Sequence, residues 1–255
     1  MKTPTIEQIY RHASVRAYMP DPVAVDLLET VVAAGQRSSS SSNLQTYSVV
    51  AVQDAERRAR LAELCSKQKQ IVQAPVFLAW CADLSRLDRV CQLRGYQQVT
   101  SYVESFLVAA VDAAIAMQTA ALAAESLGLG ICYIGALRNQ PEQVIELLRL
   151  PRLVFPISGM TLGWPAVEPF IRPRLPLRAI LHWEWYDLSE EAQALEEYDQ
   201  AMVETGIYRG RQVPVPGRQG VVEDHGWLEH SARRASTPAR TGLRQVLEQR
   251  GFGLE

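Results

Sequence analysis

The sequence predicts a chain in which helices and short strands are interspersed, and three observations carry that expectation. Residues 103 to 138, VESFLVAAVDAAIAMQTAALAAESLGLGICYIGALR, form a long Ala-rich apolar segment that runs without proline into a glycine-punctuated turn. Ala, Leu and Met are strong helix formers, so this segment reads as a buried helix feeding a short strand, either a core axis or half of a subunit interface. Tyr47–Val52, Val76–Cys81 and Val154–Leu162 have the β-branched and aromatic content of further strands, the second apolar throughout and therefore central in its sheet. Between them lie amphipathic or charged segments with helical spacing, such as Val23–Ala34 and Ala55–Cys65.

In chain order, a short helix is expected over residues 5–12, ending before the basic knot His12–Arg16, and Pro20-Asp21-Pro22 is a turn. Five consecutive serines, Ser38–Ser42, follow the next helix. Residues 84–98 read as an exposed helix. Gly128 and Gly130 end the long helix, Ile131–Ile134 form the strand after it, and Gly135 leaves room for close approach to backbone. Pro141 opens a helix to Leu148. Beyond Gly163 a proline-rich stretch, GWPAVEPFIRPRLPLRAILHWEWY, suggests an extended arm crossing a surface. Residues 189–205 resume as helix, Gly206–Gly220 is a loop, and a last helix runs from about Pro238 to Arg250.

A chain of 255 residues with formal net charge −2 gives no reason to expect nucleic acid or an acidic membrane as partner. The long helix is interrupted by Glu104, Asp112, Gln118 and Glu125, which argues against a membrane span. Cys65, Cys81, Cys91 and Cys132 show no CxxC spacing, so neither a disulfide framework nor a zinc site is expected. With no secretory h-region in the first residues, a reducing cytoplasm is the expected location.

Three stretches could together make one site for an anion and a ring. In His12-Ala13-Ser14-Val15-Arg16, alternate residues place an imidazole, a hydroxyl and a guanidinium on one side of an extended segment. In Arg172-Pro173-Arg174, a rigid proline separates two guanidinium forks suited to a phosphate dianion. In the turn after the long helix, backbone N–H groups at Gly135 and Ala136 could donate to a ring atom. Gln68, in Ser66-Lys-Gln-Lys-Gln70, both donates and accepts and so suits a heterocycle edge. No dinucleotide fingerprint, Walker loop, HExxH or G-x-S-x-G is present, and no metal-ligand cluster is evident. The silence about a catalytic side chain favours a cofactor that carries the chemistry itself.

Taken in order, HxSxR, SSSSSNLQ, the Gln68 turn, AAESLGLGICYIG, and LGWP followed by RPRLP resemble the oxygen-insensitive NAD(P)H nitroreductase and flavin reductase family, in its larger NADPH-preferring branch, over roughly residues 5–185. The resemblance implies an α+β fold, a mixed sheet flanked by helices in an intertwined homodimer, with FMN bound at interfacial sites. It implies an FMN-binding core over residues 1–186, with 187–255 a C-terminal helical excursion and tail of the same domain. By the same resemblance, His12, Ser14, Arg172 and Arg174 surround the FMN phosphate and ribityl chain, and Arg16 reaches the N1/C2 side of the ring. Ser40 touches the cofactor from the partner subunit, Gln68 bonds the pyrimidine edge, and Tyr133, Ile134, Gly135 and Ala136 line the opposite edge. Arg209, Arg211, Arg233 and Arg234 are candidates for the NADPH 2'-phosphate.

Ala13, where relatives commonly have a second basic residue, departs from the pattern, as do Arg172 for a lysine and Ala136 for a glycine. The implied activity is NADPH-dependent reduction of nitroaromatics, quinones or flavins by a ping-pong cycle. Competing expectations are a reductive dehalogenase, a flavin-fragmenting enzyme, or a non-catalytic flavin-binding protein.

Overall fold

A fully buried strand, Val76–Asp83, runs through the middle of the molecule and sends side chains to both faces of its sheet. Val76, Leu78 and Trp80 enter one apolar cluster and Phe77 and Ala79 another, the period-2 alternation of a strand covered on both sides. The structure is a computed structural model describing residues 2–215 and 217–255.

The first unit comprises the chain to Phe170 together with Arg240–Glu255. It begins with α1 (Pro4–Tyr10), capped by the Thr3 hydroxyl, which accepts from the Ile6 N–H, and started by a proline that has no N–H to lose. There follow α2 (Val25–Gly35), β1 (Tyr47–Val52), α3 (Ala55–Leu64, capped by Asp54), α4 (Lys69–Gln73), β2 (Val76–Asp83) and α5 (Ser85–Arg94). The long helix is α6 (Val103–Ser126). It leads to β3 (Gly130–Ile134), a 3-10 turn (Gly135–Arg138), α7 (Pro141–Leu147) and β4 (Val154–Gly163).

The sheet order is β1-β2-β4-β3 and each pairing is antiparallel. An α+β fold is what the sequence led us to expect, but no parallel pairing, which a mixed sheet would contain, occurs among the described strands of this chain. β1 and β2 come together through α3 and α4, and β3 returns to β4 through α7, so each excursion lays the next strand back the opposite way.

α6 and α2 cover one face of this sheet, and α3, α4 and α7 the other. The alanines of α6 have a use here. Ala116 and Ala120 face Gly35 of α2 so closely that a Cβ on Gly35 would stand 2.9 Å from the Ala116 carbonyl oxygen. Small residues let helix and helix approach, and Trp80 of the sheet fills the space beside them. On β4, Gly159 admits the Phe77 ring, whose Cζ would lie 2.2 Å from an added Cβ. At the far end, Phe106 of α6 meets Phe155 and Phe252 edge-on, and the C-terminal tail bonds back to Thr100 and Ser101.

α6 does not bury itself all round within the chain. Leu107, Val111 and Ile115, spaced by four, are 54, 45 and 39% exposed. Of the two roles that the sequence allows for this helix, the exposed stripe fits half of an interface, while its opposite side is core. The helix is long and apolar enough to cross a membrane by composition, yet its middle carries a buried Asp112 and its inner side is sheet core.

The second unit is Ile171–Ala239. It holds α8 (Glu191–Glu204), the hairpin β5 (Gln212–Pro214) and β6 (Val222–Asp224), and α9 (Trp227–Ser236). The proline-rich stretch, which begins in the first unit and continues into this one, has only one 3-10 turn, Leu177–Ala179, as expected of an arm. The expected loop Gly206–Gly220 contains β5 in place of irregular chain throughout, while Pro216 within it lies outside the described residues. The last helix, α10 (Leu243–Gln249), belongs to the first unit.

Candidate active site

Residues 12–18 lie along the edge strand β3, where the Val15 N–H donates to the Ile131 carbonyl at 2.8 Å. Val15 and Ala13 turn inward and are buried, so His12, Ser14 and Arg16 make up the outward row of an extended segment. Gly130 permits the approach: a Cβ there would meet Val15 Cγ2 at 2.5 Å and Pro165 Cγ at 3.0 Å. Its role is therefore closeness to this segment, while Gly128, at φ +82, takes the left-handed turn that ends the helix region. The Tyr18 hydroxyl fixes the segment from below. It bonds the Val15 carbonyl at 2.9 Å and Thr161 Oγ1 at 2.7 Å, and burial pushes its ionisation well above the usual phenol range. Ala13 faces away from the outward row, so its departure from the family pattern removes no charge from that row.

Each member of the row has a definite environment. His12 Nδ1 lies 2.5 Å from Glu125 Oε1, a carboxylate in the last turn of α6 with only 10% of its side chain exposed. Arg16 is exposed, and its one bond among the described residues is a long 3.5 Å contact to the Ser14 carbonyl. Tyr133, on β3, donates to Gln118 Oε1 at 2.8 Å. Burial first, and then the Glu125 carboxylate, raise its ionisation above the phenol range. Glu125 thus stands between the HxSxR segment and β3, a link that sequence reasoning missed.

Ile134 and Ala136 are buried, whereas Gly135 between them is half-buried and has no side chain, so the accessible backbone of this turn is at Gly135. The first N–H groups of the helical turn Gly135–Arg138 have no partner inside that turn. Asn139 donates to Ser66 Oγ at 2.8 Å and thereby ties this turn to the Ser66-Lys67-Gln68 corner. That corner is built from consecutive left-handed residues, Ser66 at φ 63 and Lys67 at φ 56, and delivers Gln68 as the residue before α4. Gln68 Oε1 accepts from Gln70 Nε2 at 2.5 Å, which leaves the amide N–H₂ of Gln68 to donate elsewhere.

Two further cations adjoin the turn and were not singled out from sequence. Arg138 Nη2 and Arg240 Nη2 lie 3.6 and 3.9 Å from where a Gly135 Cβ would stand, and neither forms an ion pair among the described residues. Burial, and then the neighbouring Arg240 charge, lower the Arg138 ionisation from its ordinary value. Arg240 is held by Asn139 Oδ1 at 2.9 Å. A cleft of about 270 Å³ opens beside them, lined also by Gln140, Glu142 and Gln143.

Ser40 stands elsewhere. Its hydroxyl donates to Asp112 Oδ2 at 2.7 Å and accepts from the Gln45 N–H, also at 2.7 Å. Asp112 further receives the N–H groups of Ser41 and Thr46 and the Thr46 hydroxyl. Burial pushes its ionisation up, but these bonds outweigh burial and hold the carboxyl below its usual range. Asp112 and Glu125, the anchors of Ser40 and His12, are thirteen residues apart on one helix, roughly 20 Å along its axis.

In the second unit, Arg172 and Arg174 are exposed, and among the described residues Arg174 bonds only the carbonyls of Arg172 and Pro173, at 3.3 Å. The Tyr198 hydroxyl of α8 holds the Pro173 carbonyl. The charge of Arg172 acts on Tyr208, over whose ring Arg211 lies at 5.9 Å, so Arg172 and Arg211 share one locality. Arg233 is paired with Glu229, and Arg209 and Arg234 are exposed.

The first unit is an α+β body that gathers imidazole, hydroxyl, guanidinium and amide groups around one edge strand and the turn that follows it. The chain belongs to the nitroreductase family, whose model matches residues 9–164, with the model of the family's C-terminal domain matching residues 172–255. It is 40% identical over 253 residues to the FMN reductase [NAD(P)H] of Bacillus subtilis, with 98% of each chain covered. To the oxygen-insensitive NADPH nitroreductase of Salmonella typhimurium it is 36% identical over 250 residues, again with 98% of each covered. The solved structure of the hypothetical oxidoreductase YcnD from B. subtilis superposes with a TM-score of 0.92 at 39% identity over the whole of both chains.

Proposed function

We propose that this chain is an FMN-dependent NADPH oxidoreductase that reduces nitroaromatics, quinones or flavins by a ping-pong cycle. The observation that carries the reading is the outward row His12, Ser14 and Arg16, laid on β3 by the Val15–Ile131 bond, in a chain alike over its full length to flavin reductases. The donor set fits the cofactor: hydroxyl and cations for a phosphate and ribityl chain, a free amide N–H₂ at Gln68 for a ring carbonyl, and open backbone at Gly135 for a flat edge.

FMN, when bound, supplies the hydride chemistry between nicotinamide and acceptor. His12, Ser14, Arg172 and Arg174 bind its phosphate end. Arg16 holds positive charge at the N1/C2 side, where negative charge develops on reduction. Tyr133, Ile134, Gly135 and Ala136 line the opposite edge, with Gly135 the most open of the last three. Arg138 and Arg240 add charge beside the turn, suited to a polar substituent of the acceptor. Arg209, Arg211 and Arg234 serve the NADPH 2'-phosphate in preference to Arg233, which is already paired with Glu229.

The working form is a homodimer. The exposed stripe of α6 and an arm that leaves Trp183 and Trp185 76 and 73% exposed support it. So does the separation between the anchors of Ser40 and His12, which suits Ser40 to the partner's cofactor. Free thiols at Cys65 and Cys81 accord with a reducing cytoplasm.

The absorbance spectrum of the purified protein, followed by anaerobic titration with NADPH, tests the reading. A yellow protein that releases FMN and is bleached by NADPH is expected, and added quinone should restore the colour. A colourless protein that takes up no FMN would overturn it, and one that binds FMN but does not oxidise NADPH would be a flavin-binding protein only.

A further inference from the structure

The 2.5 Å contact between His12 Nδ1 and Glu125 Oε1 places a nearly buried carboxylate in the last turn of α6. The helix dipole disfavours negative charge there. Around the pair stand Arg11, which lines the same cleft as Glu125, and Tyr133 on β3. The cleft beside it is otherwise lined by Gln8, Ala13, Val15, Gly128, Leu129, Gly130, Pro165 and Pro169, none of which titrates. Nothing among these groups stabilises a carboxylate at this place as directly as the imidazole does.

A carboxylate can only accept, so the shared proton of the pair occupies the line between Nδ1 and Oε1. A phosphate dianion also only accepts. If Nε2 is to donate to phosphate, the His12–Glu125 pair must carry two protons, one on Nε2 and one shared, wherever the shared one sits. We propose that Glu125 is a positioning residue which makes His12 bind the FMN phosphate only with uptake of a proton, so that retention of FMN weakens as the pH rises above neutrality. This rests on the FMN reading above.

Gln at position 125 separates this from a merely structural role. Its amide can donate to a bare Nδ1, and the neutral ring can then give its single proton from Nε2 to the phosphate. Affinity would no longer call for an extra proton.

The experiment is a fluorescence titration of the FMN-free protein with FMN and with riboflavin, between about pH 7 and 9, where the phosphate is already a dianion. For the unaltered protein, the Kd of FMN should climb towards about tenfold per pH unit, while that of riboflavin, which has no phosphate, stays level. Glu125→Gln should flatten the FMN profile, and so should His12→Gln, whose amide donates without titrating. An FMN profile that is level in the unaltered protein overturns the proposal, as does an equal slope with riboflavin; neither result depends on a variant folding. A Glu125→Gln profile parallel to that of the unaltered protein also overturns it. All three results leave FMN binding itself intact. Failure to bind FMN at any pH would instead remove the functional reading, and the proposal with it.

Discussion

Arg16 and Arg174 differ in what their charges can do. Among the described residues Arg174 bonds only the carbonyls of Arg172 and Pro173, and the proposed phosphate contact is worth about 1.5–3 kcal/mol, so Arg174→Ala should weaken FMN binding roughly ten- to hundredfold. Saturated with FMN, that variant should work at nearly the normal rate. Arg16→Gln keeps a donor of similar reach but removes the cation, so FMN should stay bound while reduction by NADPH slows. Stopped-flow measurement of both half-reactions, with excess FMN, tells the two apart; loss of FMN from Arg16→Gln with normal reduction would make Arg16 a phosphate residue. Asp112 acts on the fold. Its depressed ionisation means that its bonds to Ser40, Ser41 and Thr46 stabilise the protein above the ordinary carboxyl range and fade as the pH falls through the lower folded value. Asp112→Asn should lower the unfolding temperature at neutral pH, at a cost of about 2–4 kcal/mol. The gap between the two proteins should narrow towards pH ~3; a gap that widens on acidification would contradict this assignment.

At the scale of elements, the approach of residues 12–18 to β3 depends on a missing side chain. Gly130→Ala would put a methyl group 2.5 Å from Val15 Cγ2. Overpacking of this kind costs about 1–3 kcal/mol, and because the displaced segment carries His12, Ser14 and Arg16, FMN retention should fall as well. Gly242→Ala, with open space around its Cβ, is the control; equal effects in thermal unfolding and FMN titration would refute the close-approach argument. Much of this layer was legible in the sequence because its signals are local. α6 spans Val103–Ser126 as its uninterrupted helix formers indicate, and β1 coincides with Tyr47–Val52. The hairpin β5–β6 and helix α9 were not legible: the hairpin lies in a stretch rich in Gly, Pro and Arg, and α9 packs Trp227 on Tyr198 of α8, a contact that no local pattern announces. The site divides the same way. The alternation of His12, Ser14 and Arg16 could be read from spacing, whereas the His12–Glu125 pair closes across 113 residues, and Arg240 reaches the Gly135 turn only through the return of the C-terminal segment.

For the whole molecule, the question is what covers α6. Leu107, Val111 and Ile115 present a stripe that in an isolated chain would face water along the N-terminal half of the helix. Burying such a side chain fully is worth about 1.5–3 kcal/mol, and in a two-fold dimer each residue counts twice. Half covered already, the three side chains contribute only part of that each, so the stripe favours a partner of the same kind, and together with the arm it suits the obligate class of interface, which commonly buries more than about 2,000 Å². Val111→Glu together with Ile115→Glu places four unpaired carboxylates in that interface. The double variant should sediment as a monomer at micromolar concentrations where the unaltered protein is a dimer. Because Ser40 is assigned to the partner's cofactor, monomerisation should release FMN, and the two losses should follow the same dependence on protein concentration. Ser40→Ala, which keeps the apolar stripe of α6 and removes only one of the hydrogen bonds to Asp112, should weaken FMN retention with the dimer intact. A stable FMN-loaded monomer of the unaltered protein at low concentration would dispose of the dimer, and a double variant that remains a dimer with normal FMN retention would show that α6 faces something else.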